Sequence, residues 1–155
     1  MLLGMSTGSS VASSLPRHSV SVGGAVMRAD GRFLAIQRAD NGQWDLPGGV
    51  LELDETPEEG VRREVWEETG ITVEVGALSG VYKNMVRGVV ALIFRCVPSG
   101  GVETTSDETS AVVWLTAEEV AERMSEPYAA RLLDAAVEGG PHVRSHDGRQ
   151  LMGAR

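Results

Sequence analysis

The segment from Thr56 to Gly70 constrains the fold most, because it reads only as helix while most of what flanks it reads as strand. Thr56 is a good N-cap, Pro57 suits the first helical position, and Glu59 completes a capping box. The helix is expected to run to about Thr69, with Gly70 placed to end it. Upstream, Val20 to Met27 is a run of small and β-branched residues. The Ala29-Asp30-Gly31 turn and Phe33 to Gln37 follow it, which is a hairpin signature. Trp44 to Leu46 is a short extended piece stopped by Pro47-Gly48-Gly49. Downstream, Ile71 to Val75, Leu78 to Tyr82, Val89 to Val97 and Ala111 to Leu115 read as strands. Pro98-Ser99-Gly100-Gly101 reads as a turn and Glu103 to Ser110 as a polar loop. Thr116 to Glu119 repeats the capping box, and Pro127 lies near the start of a last helix with Ala130, Leu133, Ala136 and Val137 on one face. Strands, helix, strands, helices is the order of an α/β (α+β) domain.

The chain has 155 residues, enough for one core. The Ser- and Gly-rich residues 1–19 read as a flexible leader with an ambiguous start at Met5, residues 20–138 as the domain, and residues 139–155, where the pattern dissolves, as a C-terminal tail. A formal charge of −8 disfavours nucleic acid as a partner but not a small anionic substrate met by local cations or a metal. No apolar run reaches the roughly 18 residues of a membrane helix. The single cysteine, Cys96, sits in an apolar run and reads as a buried thiol. It fits a reducing compartment, so a cytoplasmic location is expected. His142 and His146 are four apart but follow no helical pattern, so they are not expected to be metal ligands.

Carboxylates crowd the stretch from Gly48 to Ile71, where ten of twenty-four residues are charged and seven are Glu. On the helix, Glu64, Glu67 and Glu68 project from one side, while Val61 and Val65 mark an apolar side. Like charges at this spacing cost about 0.2–0.5 kcal/mol per exposed pair, and more in lower dielectric. Arg62 and Arg63 are expected to point elsewhere around the helix. A solvated acidic face is one reading. A hard divalent cation, Mg²⁺ or Mn²⁺, which takes carboxylate oxygens, waters and phosphates, is the other.

The flanks favour the second reading. Gly49 is followed after five residues by Glu55, after seven more by Arg63-Glu64, then Val65, one residue, Glu67-Glu68, one residue, Gly70 and Ile71. These nine defined positions across 23 residues match the Nudix box, so the chain resembles the Nudix hydrolases. The resemblance implies an α/β/α sandwich with a mixed β-sheet, and a Mg²⁺- or Mn²⁺-dependent pyrophosphohydrolase acting on a small nucleotide. It implies that Glu64, Glu67 and Glu68 hold metal, with the Gly49 carbonyl as a further ligand. One carboxylate would orient or deprotonate water, and Arg63 would hold Glu55. Metal-assisted attack by water suits the residues, since no Ser or Cys is paired with a His.

Outside the box the similarity is looser. Arg38 resembles an Arg that contacts substrate in several members. Glu108, with Asp107 as competitor, sits where relatives of the 8-oxo-dGTP phosphatase carry another acidic ligand or base. Trp44, Tyr82 and Phe33 are candidates to stack on a base or to lie in the core. Lys83 and Arg87 are candidates to meet phosphates or simply to be solvated. The purine-reading Asn of the 8-oxo-dGTP phosphatase is replaced by Ser125, and the Pro common in ADP-ribose pyrophosphatases beyond the box is missing. A nucleoside triphosphate, a nucleotide-sugar and ADP-ribose therefore stay open as substrates. A nucleotide-binding module without turnover is the alternative, and a homodimer is left open.

Overall fold

The structure is a computed structural model that describes residues 14–153. Most of the expected leader, including Met5, lies outside the described residues. The chain runs β1 (Ser19–Val26), β2 (Phe33–Arg38), β3 (Trp44–Asp45), β4 (Gly48–Val50), α1 (Pro57–Thr69), β5 (Ile71–Asn84), β6 (Val89–Gly101), β7 (Thr109–Leu115), α2 (Ala117–Arg123), α3 (Glu126–Ala135) and β8 (His142–His146). Five strands form a mixed sheet in the order β4-β1-β6-β5-β8, and β3-β2-β7 form a smaller antiparallel sheet. In the larger sheet β1 and β6 are parallel, as are β5 and β8, while the other pairs are antiparallel.

Strand alternation decides what each face of the sheet meets. Val22 and Val26 of β1, with Phe94 and Cys96 of β6, pack against Val61 and Val65 of α1. Ala25, Ala91, Ile93 and Tyr82 face the other way, toward Val120 of α2 and Ala129 and Leu132 of α3. The result is an α/β/α sandwich with a mixed sheet. Val61 and Val65 are fully buried, each contributing about 1.5–3 kcal/mol by leaving water. The helix α1 begins and ends as its sequence requires. The Thr56 hydroxyl accepts from Glu59 N, the Glu59 carboxylate accepts from Thr56 N, and Gly70 closes the helix at φ 76° in the left-handed region. Cys96 is buried, and that burial pushes its thiol up to about 12.

Several expectations are corrected. The Asp-Gly turn forms, with Gly31 N donating to Arg28 O, but β1 and β2 are not a paired hairpin. They enter different sheets and touch through one bridge, Met27 to Phe33. Ile71–Val75 and Leu78–Tyr82 are one long strand with bulges between Val75 and Gly80, and β6 continues through Pro98 to Gly101. The apolar face of α3 is also different: Ala129, Ala130, Leu132 and Ala135 are buried, whereas Val137 lies beyond the helix and is exposed. Finally, residues 142–146 are a strand. They pair with Gly80–Asn84, and His146 is fully buried with its Nδ1 accepting from Gly148 N.

Candidate active site

One face of the five-stranded sheet floors a cleft of about 690 Å³, within the ordinary range for small-molecule sites. Registers place Val50, Ser21, Ala91 and Tyr82 in one row across β4, β1, β6 and β5, with Ser19, Val89 and Asn84 in the next. Small side chains in the middle of these rows leave room above the sheet. Three strand spacings separate β4 from β5, so the floor spans about 14 Å.

The acidic end lies at β4 and α1. Gly48 and Gly49 let the backbone run against both β1 and the helix carboxylates. A Cβ on Gly48 would sit 2.5 Å from the Val22 carbonyl oxygen, and one on Gly49 would sit 2.6 Å from the Glu64 carboxylate. Glu68 is buried and accepts a 2.7 Å hydrogen bond from Gly48 N. Burial pushes its pKa up to about 8. Glu64, Asp45 and Glu108 add to that rise, and the Gly48 N–H opposes it. Glu64 is also raised, mainly by burial and further by Glu67 and Glu108, against the pull of Arg63.

Arg63 organises this end. Its guanidinium donates from Nε and Nη2 to the two Glu55 oxygens at 3.0 and 2.7 Å, and from Nη1 to Glu64 at 2.8 Å and Glu67 at 3.3 Å. It therefore does not point away from Glu64, because its long stem folds back along the helix surface. The Arg63 partnership and the Glu52 N–H hold Glu55 down at about 2.

The three helix glutamates divide between two surfaces, with Arg63 Nη1 bonded to both Glu64 and Glu67. Glu64 and Glu68, four apart, line the cleft, together with Gly49, Glu52 and Glu108. Glu67 is half exposed and lines a separate hollow with Trp66 and Val102. Among the described residues, no three acidic, His or Cys groups are drawn together as a ready-made metal cage. What the cleft offers is an all-oxygen donor set with two desolvated carboxylates, and that chemistry fits a hard divalent cation.

Outside the box, Arg38 and Glu108 both line the cleft, while Asp107 lines only an adjoining hollow. Arg38 is held by Asp40 through two bonds of 3.0 and 2.8 Å. Tyr82 is fully buried and donates its hydroxyl to Asp134 at 2.7 Å, so it has no face to offer a base. Phe33 is buried as well. Trp44 does not line the cleft; its ring packs on the core with the Arg123 guanidinium 5.3 Å from its centre. Lining residues that the sequence did not single out include Asp45, Asn84, Tyr128 and Arg131. Asp45 stands directly before Leu46-Pro47-Gly48-Gly49, a place that could have drawn notice. The α3 residues carry no local signal. Burial raises the Asp45 pKa, opposed chiefly by Arg131.

Comparison with known proteins agrees with this geometry. A family model described as the NUDIX domain matches residues 17–136. A MutT-like protein of Streptomyces ambofaciens is 71% identical over 143 residues, covering 92% of this chain and 93% of its own length. An ADP-ribose pyrophosphatase of Methanocaldococcus jannaschii is 37% identical over 97 residues, which span 58% of this chain and 57% of that protein. The crystal structure of a MutT protein from Methanosarcina mazei Go1 superposes with a TM-score of 0.68 at 30% identity, covering 79% of this chain and 96% of that one.

Proposed function

The chain belongs to the Nudix family, and on that premise we propose that it is a divalent-metal-dependent pyrophosphohydrolase cleaving a nucleoside diphosphate linked to another group. The observation that carries the proposal is the pair of desolvated carboxylates, Glu68 buried and Glu64 partly buried, facing a nucleotide-sized cleft beside Gly48 and Gly49. Glu64, Glu68 and Glu108, with the Gly49 carbonyl, would hold Mg²⁺ or Mn²⁺. When bound, the ion would neutralise diphosphate charge and lower the pKa of water.

This chain's own residues set the rest. Arg63 keeps Glu64 oriented and ties it to Glu55. The Gly48 N–H fixes Glu68. Desolvation raises both carboxylates in the metal-free cleft, which would favour their taking up a cation; a carboxylate left off the metal would take the proton from the attacking water. Arg38 is a candidate for the phosphates. One relative's name points to ADP-ribose and the two MutT names specify no nucleotide, so the substrate stays a class: nucleoside triphosphate, nucleotide-sugar or ADP-ribose.

The test is a phosphate- and pyrophosphate-release screen over these three groups with Mg²⁺ or Mn²⁺, repeated in chelator. Turnover that vanishes in chelator and returns with metal is expected. Metal-independent cleavage would contradict the proposal, and tight nucleotide binding with no turnover would make the protein a binding module.

A further inference from the structure

Arg131 of α3 lines the same cleft as Glu64 and Glu68. Its guanidinium carbon lies 4.7 Å from the Tyr128 ring centre and 5.7 Å from the Tyr82 ring centre. Packing on two rings fixes the plane of a guanidinium and leaves its N–H edge for in-plane hydrogen bonds. Its Nε is buried yet finds no partner in the protein. A second buried donor nearby is in the same position. His146 accepts at Nδ1 from Gly148, so Nε2 carries the proton of the neutral ring and is also unpartnered.

Both rings are held by the C-terminal strand, which lies beyond the residues matched by the family model. Arg144 of β8 donates from Nε and Nη2 to the two oxygens of Asp134, each at 2.7 Å, and the same carboxylate receives the Tyr82 hydroxyl. His146 of β8 meets the Tyr128 ring edge-on at 6.0 Å. The strand thus acts as a brace behind Arg131.

Asp45 also lines this cleft and interacts with Arg131 through its charge, without an ion pair between them among the described residues. A second phosphate at Arg131 would face the Asp45 carboxylate. A neutral ring edge with both donors and acceptors would satisfy both groups. The floor spans about 14 Å, enough to separate a base from the diphosphate.

We propose that Arg131, braced by β8 through Arg144, Asp134 and Tyr82, is the residue that reads the nucleobase, donating to an acceptor on the base edge while Asp45 receives a donor. The inference rests on the reading of the cleft as a nucleotide site. Arg131 is the contacting residue; Arg144 acts through it and is a positioning residue.

The experiment measures calorimetric binding of AMP, GMP, CMP, UMP and base-free ribose 5-phosphate to the full chain and to Arg131→Met, Arg144→Met and Arg144→Lys. The wild type should prefer one or two bases. Arg131→Met should weaken those by roughly ten- to a hundredfold, with ribose 5-phosphate binding unchanged. Arg144→Met should lose part of the same preference, and Arg144→Lys should restore part of it. On whichever substrate the screen finds, the loss should fall on KM more than on kcat. Equal weakening of ribose 5-phosphate would make Arg131 a phosphate contact and overturn the inference. So would a wild type that binds no mononucleotide better than the base-free sugar. Intact base preference in Arg144→Met with lowered Tm would overturn the brace. Selective mononucleotide binding without turnover would leave the inference standing and sink the pyrophosphohydrolase. Turnover with unaltered base preference in Arg131→Met would do the reverse.

Discussion

Replacing Glu68 by Gln tests the electrostatic reading of the cleft directly. The side chain is 7% exposed, accepts from Gly48 N, and has its pKa raised from 4.5 to about 8, chiefly by burial. A group whose folded pKa lies above its unfolded value favours the folded state fully below the unfolded pKa, and that contribution is lost as pH rises through the folded pKa. The window is therefore pH 4.5 to about 8. The difference between those values, about 3.5 at 1.36 kcal/mol per pH unit, sets a ceiling of about 5 kcal/mol. Water entering the open cleft relieves part of it, so a fall of roughly 2–4 kcal/mol is expected. Gln keeps the size of the side chain and an oxygen for Gly48 but carries no charge. The assay is urea unfolding in chelator at several pH values from 5 to 9, for wild type and Glu68→Gln. His146, whose pKa burial lowers, has the opposite slope below its usual 6.5, but it is present in both proteins and cancels in the difference. Wild type should lose stability relative to the variant as pH rises, so the variant is the more stable apo-protein at pH 8. Parallel curves would show that Glu68 is not the desolvated carboxylate described above.

Three further outcomes follow from the same geometry. Gly49→Ala puts a Cβ where the Glu64 carboxylate lies, so turnover should fall at least about a hundredfold through displacement of that group, while far-UV circular dichroism stays native. Arg63→Lys keeps the charge but cannot form the fork to Glu55 while also reaching Glu64. The expectation is a kcat loss of about tenfold or more with a stability change near 1 kcal/mol by urea titration, and unchanged kcat would refute the orienting role. Gly70→Ala forces a side chain onto a left-handed residue and against the Val102 carbonyl oxygen. It should lower stability by roughly 1–3 kcal/mol, read as a drop in Tm, and an unchanged Tm would contradict the cap.

What was legible in the sequence follows one physical line: interactions between near neighbours in the chain. The capping box, the Gly70 stop and the i, i+4 spacing of Glu64 and Glu68 are all local, and the structure carries them as read. Local signals also misled where partners are chosen from afar. The Asp-Gly turn is real, yet β1 takes β4 and β6 as partners because their faces bury against α1 on one side and α3 on the other. Gly48–Val50 hides as a strand because glycines carry no β signal; it exists because backbone must run close to β1 and Glu64. The strand His142–His146 hides because its inward side chains are His, Arg and His, which gain burial only against Tyr82, Asp134 and Tyr128. The two parts of the cleft differ in the same way. Most of the acidic end comes from 23 consecutive residues, with Asp45 and Glu108 added from elsewhere in the chain, so the greater part of its chemistry can be read from spacing. The Arg131 part is assembled from β5, α3 and β8, whose residues meet only through the sheet. A hydrolytic class is therefore readable from the chain where a base preference is not, and Arg131 is where the two readings can be joined by measurement.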